Sequence, residues 1–261
     1  MTNGFKRRRG CRLLRQLLID CKPAWGLEGH CFAVAIFVAT CAAPYLIAAA
    51  APITVPAGLH SGDHYRLAFV TGTDTPATSS DIAYYNTFVT SAADSVSQLA
   101  ALGTTWSAIA STATVAARDN TNTNPASAGA PIYNMAGQLL ATSNADLWDG
   151  SLSALLTYNE TGAVAAPGFT EAWTGTGSAG MPTGSSDPLG TAAPVWGDSQ
   201  SAMIWVYAQQ GEYLAPAHHT LYGISGMLTV SPEPSSLVLA SLAGVALTLL
   251  WLVRCGRRQV A

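Results

Sequence analysis

The stretch Thr78-Ser-Ser-Asp-Ile-Ala-Tyr-Tyr-Asn-Thr-Phe-Val-Thr-Ser-Ala-Ala-Asp-Ser-Val-Ser-Gln-Leu-Ala-Ala-Leu-Gly103 carries the clearest periodic signal in the chain. Thr78-Ser79-Ser80-Asp81 has the form that opens a helix, and Gly103 closes it. Ile82, Tyr85, Val89, Ala92, Val96 and Leu99 recur at intervals of three and four, so they form one apolar stripe. Upstream, Tyr65 to Val70 alternates large apolar groups with smaller or polar ones, which predicts a strand; Thr71 to Pro76 breaks it. Downstream, strands are expected at Trp106–Ser111, Met203–Ala208 and Leu221–Val230. Pro131–Asn134 and Gln138–Ala141 flank Met135-Ala136-Gly137 as a short hairpin. Residues 162–197 are rich in Gly, Pro, Ser, Thr and Ala, with Trp173 and Trp196 among them, and suit long loops packed on a sheet.

Charge divides the chain into three. Basic residues gather at the ends, whereas residues 51–231 hold two, Arg66 and Arg118, against twelve acids, a balance near −10. A segment so acidic repels nucleic acid, which binds through Lys and Arg. All five cysteines (Cys11, Cys21, Cys31, Cys41 and Cys255) lie outside residues 51–231, which excludes a disulfide there.

Residues 1–50 have the parts of a secretory signal: Lys6-Arg7-Arg8-Arg9, an apolar run from Cys31 to Ala50, and a small-residue site cut between Ala50 and Ala51. At the other end, Pro232-Glu233-Pro234 precedes an apolar span, Leu237 to Val253, and a basic cluster of Arg254, Arg257 and Arg258. The span can just cross a bilayer core, with the basic end held inside. Motif, span and cluster, residues 232–258, closely resemble the PEP-CTERM sorting signal that exosortases recognise in bacteria making extracellular polysaccharide. That resemblance implies exosortase and the secretion machinery as partners. It also implies transient anchoring in the membrane through the C-terminal helix, cleavage near Pro232-Glu233-Pro234, and delivery of residues 51–231 to the cell surface or matrix.

The order of a strand at Tyr65–Val70, a helix, WSAIAS, PIYNMAGQLL, LWDG and AWTGT also resembles an endostatin-type C-type-lectin-like domain. Pro131-Ile132-Tyr133-Asn134 and Ala172-Trp173-Thr174-Gly175 occupy the places of two of that family's short words. The resemblance implies an α+β fold: one C-type-lectin-like domain with one main amphipathic helix, short antiparallel strands and long loops, flanked by hydrophobic terminal segments. The family's paired cysteines are missing, as are its histidine cluster and arginines, so zinc and heparin binding do not carry over.

No catalytic constellation emerges from the sequence. Gly175, Gly177 and Gly180 spell G-x-G-x-x-G, but Met181-Pro182 follows where a phosphate-binding helix would have to begin. Ser225 misses the nucleophile-elbow spacing by one position. His218 and His219 lack a spaced metal partner and suit a solvated loop, and Gly62 between His60 and His64 argues against a helical pair. Two groups bring hard oxygen ligands close together and are candidates for calcium: Asp119, Asn120 and Asn122, and Asn144, Asp146 and Asp149. Neither has EF-hand spacing, and structural Asx turns are the simpler reading of both. Trp148 and Trp173 are candidate sugar platforms.

The functional expectation is a non-enzymatic, exported protein that associates with extracellular polysaccharide and needs no cofactor. The alternative is a secreted glycan-active hydrolase relying on Asp146, Asp149 or Glu171.

Overall fold

A computed structural model describes residues 51–184, 187–208 and 214–231. The expected signal segment with Ala50, the expected sorting motif Pro232-Glu233-Pro234, the apolar span 237–253 and the arginines Arg254, Arg257 and Arg258 lie outside the described residues.

Strand β1 (His64–Val70) runs through the centre of the sheet and is buried from Tyr65 onward. Its alternation sends Tyr65, Leu67 and Phe69 to one apolar cluster and Ala68 and Val70 to a second on the opposite face. A strand covered on both sides reads as a nearly continuous apolar run. Each fully buried large side chain of this kind contributes roughly 1.5–3 kcal/mol. The second central strand, β8 (His218–Ser225), pairs antiparallel with β1, setting Ala68 against Ile224 and Val70 against Tyr222. Gly223 stands opposite Phe69, and the Phe69 ring occupies the space that a Cβ there would take.

Shorter strands complete the sheet: β2 (Thr75–Pro76), β3 (Trp106–Ala108), β4 (Ile132–Asn134), β5 (Leu139–Ala141), β6 (Glu171–Trp173), β7 (Trp196–Asp198) and β9 (Leu228–Thr229). The order is β5-β4-β1-β8-β6-β7, with β2 and β3 also on β8 and β9 on β1. The β4–β5 hairpin forms around Gly137, whose φ of 74° suits glycine, and the Asn134 side chain accepts from the amides of Ala136 and Gln138 across the turn.

One face of the sheet is covered by α1 (Ile82–Asp94) and α2 (Ser97–Ala100), through Tyr85, Val89, Ala93 and Leu99. The other face is covered by loops and by α3 (Ala117–Asn120) and α4 (Asn144–Leu147), with Trp148, Trp205 and Tyr222 packed in series as tilted rings at centroid distances of 5.8 and 6.0 Å.

The expected α+β, C-type-lectin-like architecture is overturned. Strands hold 24% of the described residues and four helices only 14%, so a curled, half-barrel sheet organises the fold rather than a main helix. Nor are the strands all antiparallel: β1–β4 and β6–β8 are parallel, making the sheet mixed. The resemblance rested on local words, whereas pairing direction is decided by contacts far apart in sequence.

Local boundaries shift as well. The cap of α1 is Asp81, whose carboxylate accepts from the Ala83 amide at 2.9 Å; Thr78 lies outside the helix. The helix stops before Ser95, and Val96 is extended. Thr87, Ser91 and Ser95 each turn their hydroxyl back onto a carbonyl three or four residues earlier, a competition that weakens a helix toward its end. Met203–Ala208 does not form a named strand. It lies along β7 through the Asp198 amide to the Ile204 carbonyl (3.0 Å) and the Ala208 amide to the Trp196 carbonyl (2.9 Å), while Trp205 turns fully into the core.

Candidate functional site

The adjacent histidines, read from sequence as a loop pair, begin strand β8, so their side chains fall on opposite sides. His218 is exposed and sits 3.4 Å from the Asp74 carboxylate. His219 is buried; its Nδ1 lies 3.2 Å from Glu171 Oε2 on neighbouring β6, and its ring meets Trp173 edge-on at 4.5 Å. Strand β2 fixes the outer side of the cluster by pairing Thr75 with His219. Burial lowers the His219 pKa, outweighing the attraction of Glu171 and Asp74, which raises it; His218 adds to the lowering. Burial thus disfavours the charged imidazolium, and Nδ1 is the ring nitrogen that faces the Glu171 carboxylate. Sequence reasoning missed this group because a histidine pair carries no period of its own. The following Leu221-Tyr222-Gly223-Ile224 was the available signal that a strand had already begun.

The two tryptophans expected to act as sugar platforms are enclosed. Trp173 has no exposed surface and donates to the Ala217 carbonyl at 3.3 Å. Trp148 is 6% exposed, and its indole N–H donates to the Thr123 carbonyl and hydroxyl, both at 3.0 Å. Neither presents a ring face on which a sugar could stack, so both leave the candidate set.

Of the two calcium candidate segments, the second is held by residues 124–127 rather than by the first. The Asn144 amide donates to Ser127 Oγ at 3.1 Å and reaches the Asn124 and Ser127 carbonyls, both at 3.4 Å. Ser143 caps the start of α4, its Oγ accepting from the Asp146 amide, while Asp146 Oδ2 reaches back to accept from the Thr142 amide and hydroxyl at 2.6 and 2.7 Å. Those two bonds hold the Asp146 pKa below the usual carboxylate value. Asp149 accepts from the Ser151 amide in an Asx turn. Asn120 is tied to Asn86, Asp119 is exposed, and Asn122 adopts a left-handed φ of 54°. The carbonyls of Thr121 and Asn122 both accept from the buried Arg66 guanidinium, at 2.8 and 3.2 Å, a cation already in place beside this loop. Among the described residues, no group of three or more His, Cys, Asp or Glu is arranged to hold a metal ion.

The remaining motifs resolve into structure. The G-x-G-x-x-G segment is a tight turn: the Gly177 amide bonds the Met181 carbonyl, the Gly180 amide bonds the Gly177 carbonyl, and Gly180 packs on the Trp148 indole. Ser225 Oγ accepts from the Leu67 amide and donates to the Gly226 carbonyl, a structural role. His60 lies 3.6 Å from Asp63 and His64 Nδ1 2.9 Å from Thr229 Oγ1, so the two rings serve separate partners. The hydrolase candidates have separate local partners too: Asp146 bonds Thr142, Asp149 closes its turn, and Glu171 faces His219.

The described residues next to the two expected processing junctions are tied into the fold. Pro52 is buried, Ala51 backs onto Gly162, and the Ile53 amide bonds the Met135 carbonyl at 2.8 Å. At the other end β9 pairs with the start of β1, and Val230 exchanges backbone bonds with Asp63 and Gly62, each 2.9 Å. No protein-family model and no curated protein matches the chain.

Proposed function

We propose that this is an exported protein, sorted by exosortase to the cell surface or matrix, where residues 51–231 associate with extracellular polysaccharide without catalysing a reaction. The observation that carries the reading is the position of Pro232-Glu233-Pro234, which begins two residues after the last strand-closing bonds of Val230. A cut in that motif falls beyond the described bonds of the sheet, which support residues 51–231 as the folded unit. The expected signal-peptide junction falls at Ala51, whose backbone lies against Gly162 and which is followed by the buried Pro52. An acidic exterior and a cysteine-free body suit a protein that must stay soluble and fold without oxidation outside the cell.

The test is fractionation of producing cells followed by intact-mass measurement. The expected species begins at Ala51, ends within or just after Pro232-Glu233-Pro234, and sits in the surface or matrix fraction. Enzymatic removal of the polysaccharide should release it into the medium. An uncut chain in the cytosol would overturn the export and sorting reading, and retention unchanged by polysaccharide removal would overturn the association.

A further inference from the structure

An open groove of about 620 Å³ runs along the outer face of α1, lined by Ser79, Asp81, Tyr84, Thr87, Phe88 and Ser91. Tyr84 lines it. Its side chain is 43% exposed yet held at two points: its hydroxyl bonds Thr75 Oγ1 at 2.8 Å, and its edge packs at 5.1 Å and 90° on Tyr85. Tyr85 is fully buried and anchored through its own hydroxyl to the Ser79 carbonyl at 2.7 Å. An aromatic ring locked in place with its surface open costs little entropy when a ligand stacks on it.

The polar groups around the ring share one character. The hydroxyls of Thr87 and Ser91 donate to the carbonyls of Ala83 and Thr87, both at 2.8 Å, which leaves them lone pairs to offer. Asp81 adds a carboxylate, and among the described residues no Lys or Arg lines the groove. A rim of acceptors beside an aromatic platform fits a ligand with a C–H face and many O–H donors. The acidic domain repels an anionic one.

We propose that this groove binds uncharged polysaccharide, with the sugar ring stacked on Tyr84 and its hydroxyls donating to the rim. The assignment rests on the polysaccharide reading above and names the surface and the charge class.

The test measures retention of the full chain in detergent by affinity electrophoresis through dextran, hydroxyethylcellulose, galactomannan and alginate. Wild type should be retarded by at least one of the three neutral polymers and not by alginate. Tyr84→Ala should weaken that retention about tenfold, the equivalent of ~1.4 kcal/mol. Tyr84→Phe keeps the ring and should stay within about threefold of wild type. Ser91→Arg, an exposed position, fills the groove without touching the core and should weaken retention as Tyr84→Ala does, which separates lost binding from lost folding. Neutral-polymer retention left intact in both Tyr84→Ala and Ser91→Arg, or retention by alginate alone, would overturn the groove while leaving polysaccharide association standing. Retention by none of the four polymers would overturn both.

Discussion

Asn86 and Asn120 exchange two amide hydrogen bonds, 2.8 and 2.9 Å, across the gap between α1 and α3, and each also bonds the backbone of Ala108. Asn86 Oδ1 accepts from the Ala108 amide and Asn120 Nδ2 donates to the Ala108 carbonyl, both at 2.8 Å. Two side chains thus supply the outer edge of β3 with the partners that a further strand would have given it. Replacing either with Ala leaves the other amide and one backbone group unsatisfied and should cost about 2–3 kcal/mol. The double variant should cost clearly less than the sum of the two singles in urea unfolding; additive losses would show that the pair does not act as a unit.

Acid should weaken the fold through His219. Its folded-state pKa lies below the ordinary value, so the unfolded chain takes up a proton first as pH falls. The contribution is intact above about pH 6.5 and is lost progressively below it, as the pH approaches the depressed folded value. His219→Gln keeps a polar side chain beside Glu171 and removes this proton. Its Tm should therefore fall less than that of wild type between pH 7.5 and pH 5, and parallel curves would contradict the assignment.

A second acid-sensitive contact sits at α4. Asp146 is stabilised as a carboxylate by the Thr142 amide and hydroxyl, so its contribution is present above about pH 4 and disappears as pH falls through its lowered folded value. Because the group is largely solvated, Asp146→Ala should cost only about 1 kcal/mol, comparable to a helix cap. Chemical denaturation at pH 7 measures it, and a loss above about 3 kcal/mol would mean the side chain does more than bond Thr142.

Gly197 on β7 lies directly against the Trp205 carbonyl, and a Cβ there would collide with it. Gly197→Ala should force the 203–208 segment off β7 and cost at least ~2 kcal/mol. A blue-shifted indole emission lost on substitution would report Trp205 leaving the core, and unchanged stability would show that the backbone yields easily.

Sorting has its own test. Glu233→Gln should leave a longer, membrane-held form on a gel, because the cleavage motif has lost its acid. Normal processing would remove that residue from the signal.

What was legible in the sequence is what local pattern dictates. The strand at Tyr65–Val70, the apolar positions Tyr85, Val89 and Leu99, and the hairpin around Gly137 all follow from spacing or turn chemistry. What escaped depends on distant partners. Nothing in Glu171-Ala172-Trp173 indicates that it pairs parallel with β8, and Trp148 and Trp173 resemble surface platforms until their neighbours enclose them. Tyr84 went unremarked because it shares a helix with a buried neighbour, Tyr85, and only the register of α1 shows which ring stays outside.

The placement of Arg66 has a practical corollary. Residues 51–231 contain no lysine, and of the two arginines one is sealed in a central strand while the other sits in α3 with Gly180 packed against its side chain. Trypsin-like enzymes therefore find almost nothing to grip on the folded unit, and prolonged digestion should trim its ends and spare its body. That is durability obtained by composition and burial rather than by cross-linking.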